Sequence, residues 1–248
     1  MQIDTCPVDV LAVGAHPDDV ELAVGGTLIK LSSLGYKTAV VDMARGEGGT
    51  RGNAETRLLE AAEAKKVMGL TARDNLALPD SNIWCNEQSR VLMVRIIRKF
   101  QPKIIFTHYW EDPHPDHVQT AQIVRQAAHL AGLAKYDQET GQPRHRPSTV
   151  AHFMFPRTVV ATFLVDISEF AERKRQAILC YKSQLHNPTN KEPETYLSKS
   201  NFLAKVEVGQ RYFGSLIDVE HAEAFLVREA LNVADPVELL TKSMNMYS

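Results

Sequence analysis

The chain has 248 residues, a length that suits one large domain or two small ones. Its hydrophobic content of 44% and charged content of 23% are those of ordinary water-soluble globular proteins. The net charge of −2 excludes a general electrostatic attraction to nucleic acid or to an anionic membrane. Three scattered cysteines, a start without a secretory pattern and the lack of a membrane-length apolar run predict a cytoplasmic protein with free thiols.

Strand-like and helix-like segments alternate along the chain, and this alternation predicts the fold class. The predicted strands cover residues 8–13, 38–43, 76–78, 103–107, 150–154 and 158–165. The predicted helices cover residues 21–34, 54–68, 88–100, 115–131, 168–182 and 202–212. We therefore expect a single α/β domain over residues 1–248, with a Rossmann-like, mostly parallel sheet and helices on both faces.

Two related His-Pro-Asp tetrads, residues 16–19 and 114–117, each follow a predicted buried strand. In a parallel sheet, ligands bind outside the carboxyl ends of the strands, where both tetrads are expected to lie. Histidine nitrogen and carboxylate oxygen suit Zn²⁺ without any thiol ligand. One His-Pro-Asp alone is typical of a capped helix start, but two copies at strand ends favour a metal site.

The spacing within the first tetrad suggests a division of labour. His16 and Asp19 are three residues apart and so share one side of a helical turn, as a ligand pair would. Asp18 points elsewhere, which suits a general base beside a metal-bound water. Spacing alone does not choose between Asp18 and Asp19 as the ligand.

The second tetrad offers a ligand and an oxyanion donor. His114 and His117 have the same three-residue spacing, so that one can coordinate while the other, as an imidazolium, stabilises a developing oxyanion. Asp116 can fix the orientation of a neighbouring histidine by accepting its other ring proton. Spacing does not decide which of the two histidines coordinates the metal.

Residues 15–21, Ala-His-Pro-Asp-Asp-Val-Glu, together with His-Pro-Asp-His at 114–117 resemble the LmbE-like (PIG-L type) family of zinc-dependent N-acetylglucosamine deacetylases. The resemblance implies that Zn²⁺ is the cofactor and that the chain forms trimers or hexamers, while the sequence leaves Fe²⁺ open as the native ion. It assigns the zinc ligands to His16, Asp19 and His117, the base to Asp18, the oxyanion-stabilising histidine to His114 and its orienting partner to Asp116.

Further segments, at residues 45–52, 55–57, 75–80, 180–184 and 211–214, resemble the bacillithiol-pathway branch of that family. Those enzymes act on N-acetylglucosaminyl-malate. Guanidinium groups pair bidentately with carboxylates, so Arg51 and Arg57 are predicted to bind the malate. The alternative for Arg57 is an exposed helical residue paired with Glu60 or Glu63. For Glu21, a helix-start charge and a partner of the metal ligands remain equally open.

The sequence thus predicts hydrolysis of an N-acetylglucosamine conjugate, a small-molecule substrate, to acetate and a free amine. Two alternatives remain: deacetylation of another N-acetylated glycoside, or a non-enzymatic module that binds a sugar or nucleotide in the same crevice. His108, beside the second strand end, is a candidate pocket residue. The glycines between 46 and 52 lack the Lys-Ser/Thr of a phosphate-binding loop and instead suit close approach to a substrate.

Overall fold

A computed structural model describes residues 5–235 together with 237 and 241. In this part of the chain seven strands form one sheet in the order β3-β2-β1-β4-β5-β7-β6. The strands are β1 (Val10–Gly14), β2 (Thr38–Ala44), β3 (Ala72–Leu78), β4 (Ile104–His108), β5 (Thr149–Phe153), β6 (Phe163–Asp166) and β7 (Ala222–Val227). Strands β1 to β5 pair with one another in parallel, whereas β7 runs antiparallel to β5 and β6.

In the described part of the chain six α-helices cover both faces of this sheet, as predicted. They are α1 (Asp19–Ser33), α2 (Ala54–Met68), α3 (Glu87–Phe100), α4 (Pro115–Ala131), α5 (Ala171–Ile178) and α6 (Phe202–Ser215). Alternate residues of β1 belong to two different cores: Leu11 and Val13 pack in the core of α3 and α4, while Val10 and Ala12 pack in that of α1 and α2. Among the described residues, no helix is long and apolar enough to span a membrane.

The predicted α/β class is confirmed. In the first half of the chain β3 begins at Ala72, four residues before the predicted strand at 76–78, and the larger errors lie in the second half. Residues 158–162 were predicted as strand from their β-branched side chains, but only Phe163–Asp166 pairs with the sheet. Val160 is 87% exposed, and a segment of high β propensity does not form a strand unless it pairs with a neighbouring strand. Strand β7 was not predicted, because its buried Glu223 breaks the apolar run. The predicted helix at 168–182 is a short 3-10 turn followed by α5.

The sheet changes its winding direction between β1 and β4, and this point positions the site. From β1 the chain moves outward through β2 and β3, then crosses back to place β4 on the other side of β1. The crossovers diverge there and leave a crevice at the carboxyl ends of the two strands. Both His-Pro-Asp tetrads open helices from this edge, one after β1 and one after β4.

Candidate metal centre

The two tetrads are helix starts that face one crevice. Asp18 is the N-cap of α1, and its side chain makes no capping hydrogen bond, so its carboxylate is free for another task. His114 is the N-cap of α4, with Pro115 at the first helical position. Both tetrads therefore begin helices, as a single His-Pro-Asp sequence predicts, and the same turns place the side chains of the tetrads in the crevice.

Three side chains converge at the centre of the crevice: His16, Asp19 and His117. One nitrogen of each ring and one oxygen of the carboxylate lie within 4.8 Å of one another. His117 Nε2 is 3.4 Å from Asp19 Oδ1, and His16 Nδ1 is 3.5 Å from Asp19 Oδ2. Two imidazoles and a carboxylate at this separation are a donor set that suits Zn²⁺ and neighbouring divalent ions.

The outer nitrogens of both rings are held by other carboxylates. His117 Nδ1 lies 3.0 Å from Asp112 Oδ1, and His16 Nε2 lies 3.1 Å from Asp116 Oδ2 and 3.3 Å from Asp80 Oδ1. This leaves the inner nitrogen of each ring directed at the shared central carboxylate. Histidines that ligate metals are commonly oriented by such an outer carboxylate, so the arrangement fits a cation at the centre.

The electrostatic environment of the cluster is negative. Burial opposes charge on His16, but hydrogen bonds to Asp116, Asp19 and Asp80 outweigh it and raise the pKa of His16 to about 12. Burial likewise opposes charge on His117, yet Asp19 and Asp112 raise its pKa to about 9. The surplus of carboxylates that favours protons on these rings equally favours a divalent cation between them.

Asp18 stands beside the cluster in a strained backbone conformation. Its φ of 113° lies in the left-handed region that non-glycine residues rarely adopt, a cost that is typical of functional sites. The carboxylate is buried and accepts a hydrogen bond from Arg57 Nη2 at 3.0 Å. Burial raises the pKa of Asp18 to about 7, and the charge of Arg57 opposes this shift. A carboxylate that lines the cavity under these conditions has the properties of a general base.

His114 lies at the exposed side of the cluster and lines the same cavity. Burial and the neighbouring His117 and His16 rings lower its pKa, which favours the neutral ring over the imidazolium, and its role at the oxyanion stays a prediction. The backbone N–H of Asp116 donates to His114 Nδ1 at 3.2 Å. The neutral ring must then carry its proton on Nε2, which makes it a hydrogen-bond donor. Asp116 thus orients His114 through its backbone, while its carboxylate holds His16.

Two residues of the cluster, Asp112 and His108, were not predicted to contact the metal ligands. Asp112, the partner of His117, lies two residues before the second tetrad and was overlooked, although an acid near a ligand histidine is a usable signal. His108 is fully buried, with Nε2 3.2 Å from Asp19 Oδ2 and its ring stacked on His117. Sequence position suggested only that His108 lines the pocket.

The two arginines predicted to bind substrate are both buried. Arg57 is 3% exposed, lines the cavity and donates to Asp18 and to the carbonyl of Pro17. Arg51 is 5% exposed, and its guanidinium donates to three backbone carbonyls of the loop that follows α5. Their contact with malate stays a prediction, whereas the alternative of an exposed, Glu-paired Arg57 is wrong.

Glu21 belongs to a buried network beneath the centre. It contacts the Arg73 guanidinium and accepts from the Tyr181 hydroxyl at 3.0 Å, while Arg73 also forms a bidentate pair with Asp42. Glu21 does lie in the first turn of α1, as the helix-start alternative requires, and its side chain is held there by Arg73 and Tyr181. The network anchors the first turn of α1, and with it Asp19, to β2 and β3.

A cavity of about 590 Å³ extends from this centre. At one end it is lined by the histidine cluster and Asp18, and farther away it is lined by apolar groups. The latter include aromatic rings from β5 and from α6 and the segments beside them: Phe153, Phe155, Tyr196, Phe202 and Phe213. The volume and mixed lining are those of a small-molecule site.

Comparison with known proteins identifies the family. The model of the family described as PIG-L, GlcNAc-PI de-N-acetylase, matches residues 11–128, which include both tetrads. A solved structure of a conserved protein from Thermus thermophilus is 32% identical, with a TM-score of 0.81, and the match covers 92% of this chain and 98% of that one. The chain belongs to the PIG-L family.

Two relatives of this PIG-L chain have named activities. A diacetylchitobiose deacetylase of Thermococcus kodakarensis is 26% identical over 216 residues, 82% of this chain and 80% of the relative. A 1D-myo-inositol 2-acetamido-2-deoxy-alpha-D-glucopyranoside deacetylase of Rhodococcus erythropolis is 28% identical over 206 residues, 67% of each chain. The prediction of an amidohydrolase is thereby confirmed over that of a non-enzymatic binding module.

Proposed function

We propose that the chain hydrolyses the N-acetyl group of an N-acetylglucosamine conjugate, with a divalent metal ion held by His16, Asp19 and His117. One observation carries the proposal: these three donor groups converge while separate carboxylates hold the outer nitrogen of each ring. The donor set suits Zn²⁺, with Fe²⁺ as the alternative ion. When bound, the cation would activate a water molecule and polarise the amide carbonyl.

The residues around the ligands supply the proton transfers of amide hydrolysis. Asp18 accepts a proton from the attacking water and returns it to the amine nitrogen as the C–N bond breaks, which releases acetate and the free amino sugar. His114, with its proton on Nε2, donates a hydrogen bond to the developing oxyanion. Both side chains line the cavity, so both have access to the same substrate carbonyl.

The names of the relatives support an N-acetylglucosamine unit as the reacting part of the substrate. Beyond that unit, we propose malate as the conjugated group, on the resemblance of residues 45–52 and 180–184 to the bacillithiol-pathway branch. Gly49 of the first segment and Gln184 of the second line the cavity. The cytoplasmic location and the trimeric or hexameric assembly stay predictions.

The test is release of acetate by the purified protein after reconstitution with one equivalent of Zn²⁺. N-acetylglucosaminyl-malate, N,N'-diacetylchitobiose and free N-acetylglucosamine are compared as substrates. We expect the highest kcat/KM with the malate conjugate, and loss of activity with a chelator and its return with Zn²⁺. Equal activity on diacetylchitobiose would overturn the malate assignment, and no acetate from any substrate would overturn the deacetylase proposal.

A further inference from the structure

A loop between α5 and α6 forms one wall of the cavity. Within this loop, Thr195, Tyr196 and Leu197 line the cavity, and the segment from residue 185 to 200 forms turns rather than helix or strand. A wall without regular secondary structure needs side-chain contacts to hold its position, because an open loop of this length has high conformational entropy.

Arg51 supplies those contacts from the glycine-rich loop that follows β2. Its Nε donates to the carbonyl of Pro193 at 2.9 Å, Nη2 to that of Glu192 at 3.2 Å, and Nη1 to that of Leu185 at 3.3 Å. One buried guanidinium therefore ties the start of the loop to the residues directly before its cavity-lining part. A planar fork of donors can do this, whereas a lysine ammonium cannot reach all three carbonyls.

Two further observations fix the same junction independently of that guanidinium. Gln184 Nε2 donates to the backbone carbonyl of Arg51 at 2.7 Å. Gly52 has a φ of 70°, and a Cβ at this position would lie 2.8 Å from Ser183 Oγ. Only glycine allows the two loops to approach this closely without displacement.

We propose that Arg51 is a positioning residue for substrate specificity, which fixes the wall formed by residues 195–197 against the conjugated group of the substrate. The proposal rests on the deacetylase function above. The reacting acetamide has to lie against the histidine cluster, so a wall supplied by a separate loop contacts the remainder of the conjugate. Arg51 thus acts through the loop, and its guanidinium is not required to touch the substrate.

The experiment compares Arg51→Met and Arg51→Lys with a matched control, Arg98→Met. Arg98 is also a buried arginine that donates to three backbone carbonyls, those of Ala131, Leu133 and Asp137, but its loop does not line the cavity. Loss of either arginine should lower Tm. If Arg51 positions the cavity wall, KM should rise in Arg51→Met and stay unchanged in Arg98→Met.

With N-acetylglucosaminyl-malate, Arg51→Met should raise KM about tenfold, since losing a hydrogen bond to a charged group changes an equilibrium by roughly that factor. The kcat value and the Zn²⁺ content should stay close to wild type, free N-acetylglucosamine should be affected less, and Arg51→Lys should be intermediate. An equal rise in KM for Arg98→Met, or a loss confined to kcat, would overturn the proposal.

A second readout needs no catalytic activity. Glu194 is exposed and is followed by Thr195, so cleavage after Glu194 by a glutamate-specific protease reports on the loop in the folded protein. Cleavage there should be faster in Arg51→Met and in Gly52→Ala than in wild type or Arg98→Met. Unchanged cleavage would overturn the anchoring role. Absence of amidase activity in the wild type would instead overturn the proposed function, and the two failures are therefore distinguishable.

Discussion

Asp112 and His117 share a hydrogen bond of 3.0 Å between Oδ1 and Nδ1. Because Nδ1 is occupied, His117 presents Nε2 to Asp19, which is the direction that a metal ligand requires. With the proposed ligand set, Asp112 therefore orients the ligand His117 without being a ligand itself. Its carboxylate also accepts from the backbone N–H of His114 at 2.8 Å, which ties both histidines of the second tetrad to one group.

We expect Asp112→Asn to lower Zn²⁺ affinity by about 10–100-fold, the usual consequence of losing an outer partner of a ligand histidine. Competition with a chromophoric chelator measures this affinity directly. Glu111→Gln is the matched control, since the described contact of that neighbouring acid is with the Tyr109 hydroxyl and not with the cluster. Unchanged affinity in Asp112→Asn would mean that His117 needs no orienting partner.

Substitutions of the two adjacent acids of the first tetrad, Asp18 and Asp19, should have different effects on metal content and turnover. Asp18→Asn should keep its Zn²⁺ and lose turnover by roughly 10²–10⁴-fold, as expected when a general base is removed. Asp19→Asn should lose most of its Zn²⁺, because Asp19 is the carboxylate that both ligand rings face. Metal content by atomic absorption, measured beside kcat, checks both. Loss of metal from the Asp18 variant would make Asp18 a ligand.

The histidines of the second tetrad allow a parallel comparison. His117→Ala should weaken Zn²⁺ binding, whereas His114→Ala should retain the metal and lower kcat by about 10²–10³-fold, the loss typical of one oxyanion donor. His114→Gln keeps a neutral donor and should recover part of the activity, since His114 Nδ1 accepts from the Asp116 N–H and leaves Nε2 as the donor. If His114→Gln were no better than alanine, a hydrogen-bond role for His114 would be wrong.

Most of the first half of the fold and the convergence of the two tetrads were predictable because they depend on local patterns. β1, β2 and β4 are buried apolar runs, and the helices after them begin at recognisable caps. Parallel strands place their carboxyl ends together, so the spacing of two tetrads in the sequence became proximity in space. The roles within each tetrad came from family resemblance, since spacing left them open.

What could not be predicted depends on contacts distant in sequence. The antiparallel strand β7 contains Glu223, whose buried carboxylate accepts from the backbone of Gly26 and Thr27 and pairs with Lys174. No pattern near residue 223 indicates those partners. Likewise, malate binding by Arg51 and Arg57 stays a prediction, and their partners within the protein lie about 130 and 40 residues away along the chain.

Arg57 provides the sharpest test of the malate assignment. A contact with a malate carboxylate predicts that Arg57→Met lowers kcat/KM for the malate conjugate far more than for free N-acetylglucosamine. The structure instead predicts comparable losses on both substrates, because the guanidinium lies against Asp18, the proposed base for the acetamide that the two share. We expect losses of about tenfold to a hundredfold on each, as for a charge-assisted hydrogen bond of about 1.5–3 kcal/mol.

Arg45→Met is the control for Arg57→Met. Arg45 comes directly after β2, the strand that precedes α2 and Arg57, but it is exposed and does not line the cavity. Steady-state kinetics of the three proteins on both substrates are sufficient. If Arg57→Met lowered kcat/KM for the malate conjugate alone, Arg57 would contact the substrate and the malate assignment would be supported directly.

If kcat/KM fell comparably on both substrates, Arg57 would act through Asp18. The basic residue that binds a malate carboxylate would then lie elsewhere along the cavity. Lys205 on α6, which lines the cavity and is exposed, is the residue to substitute next.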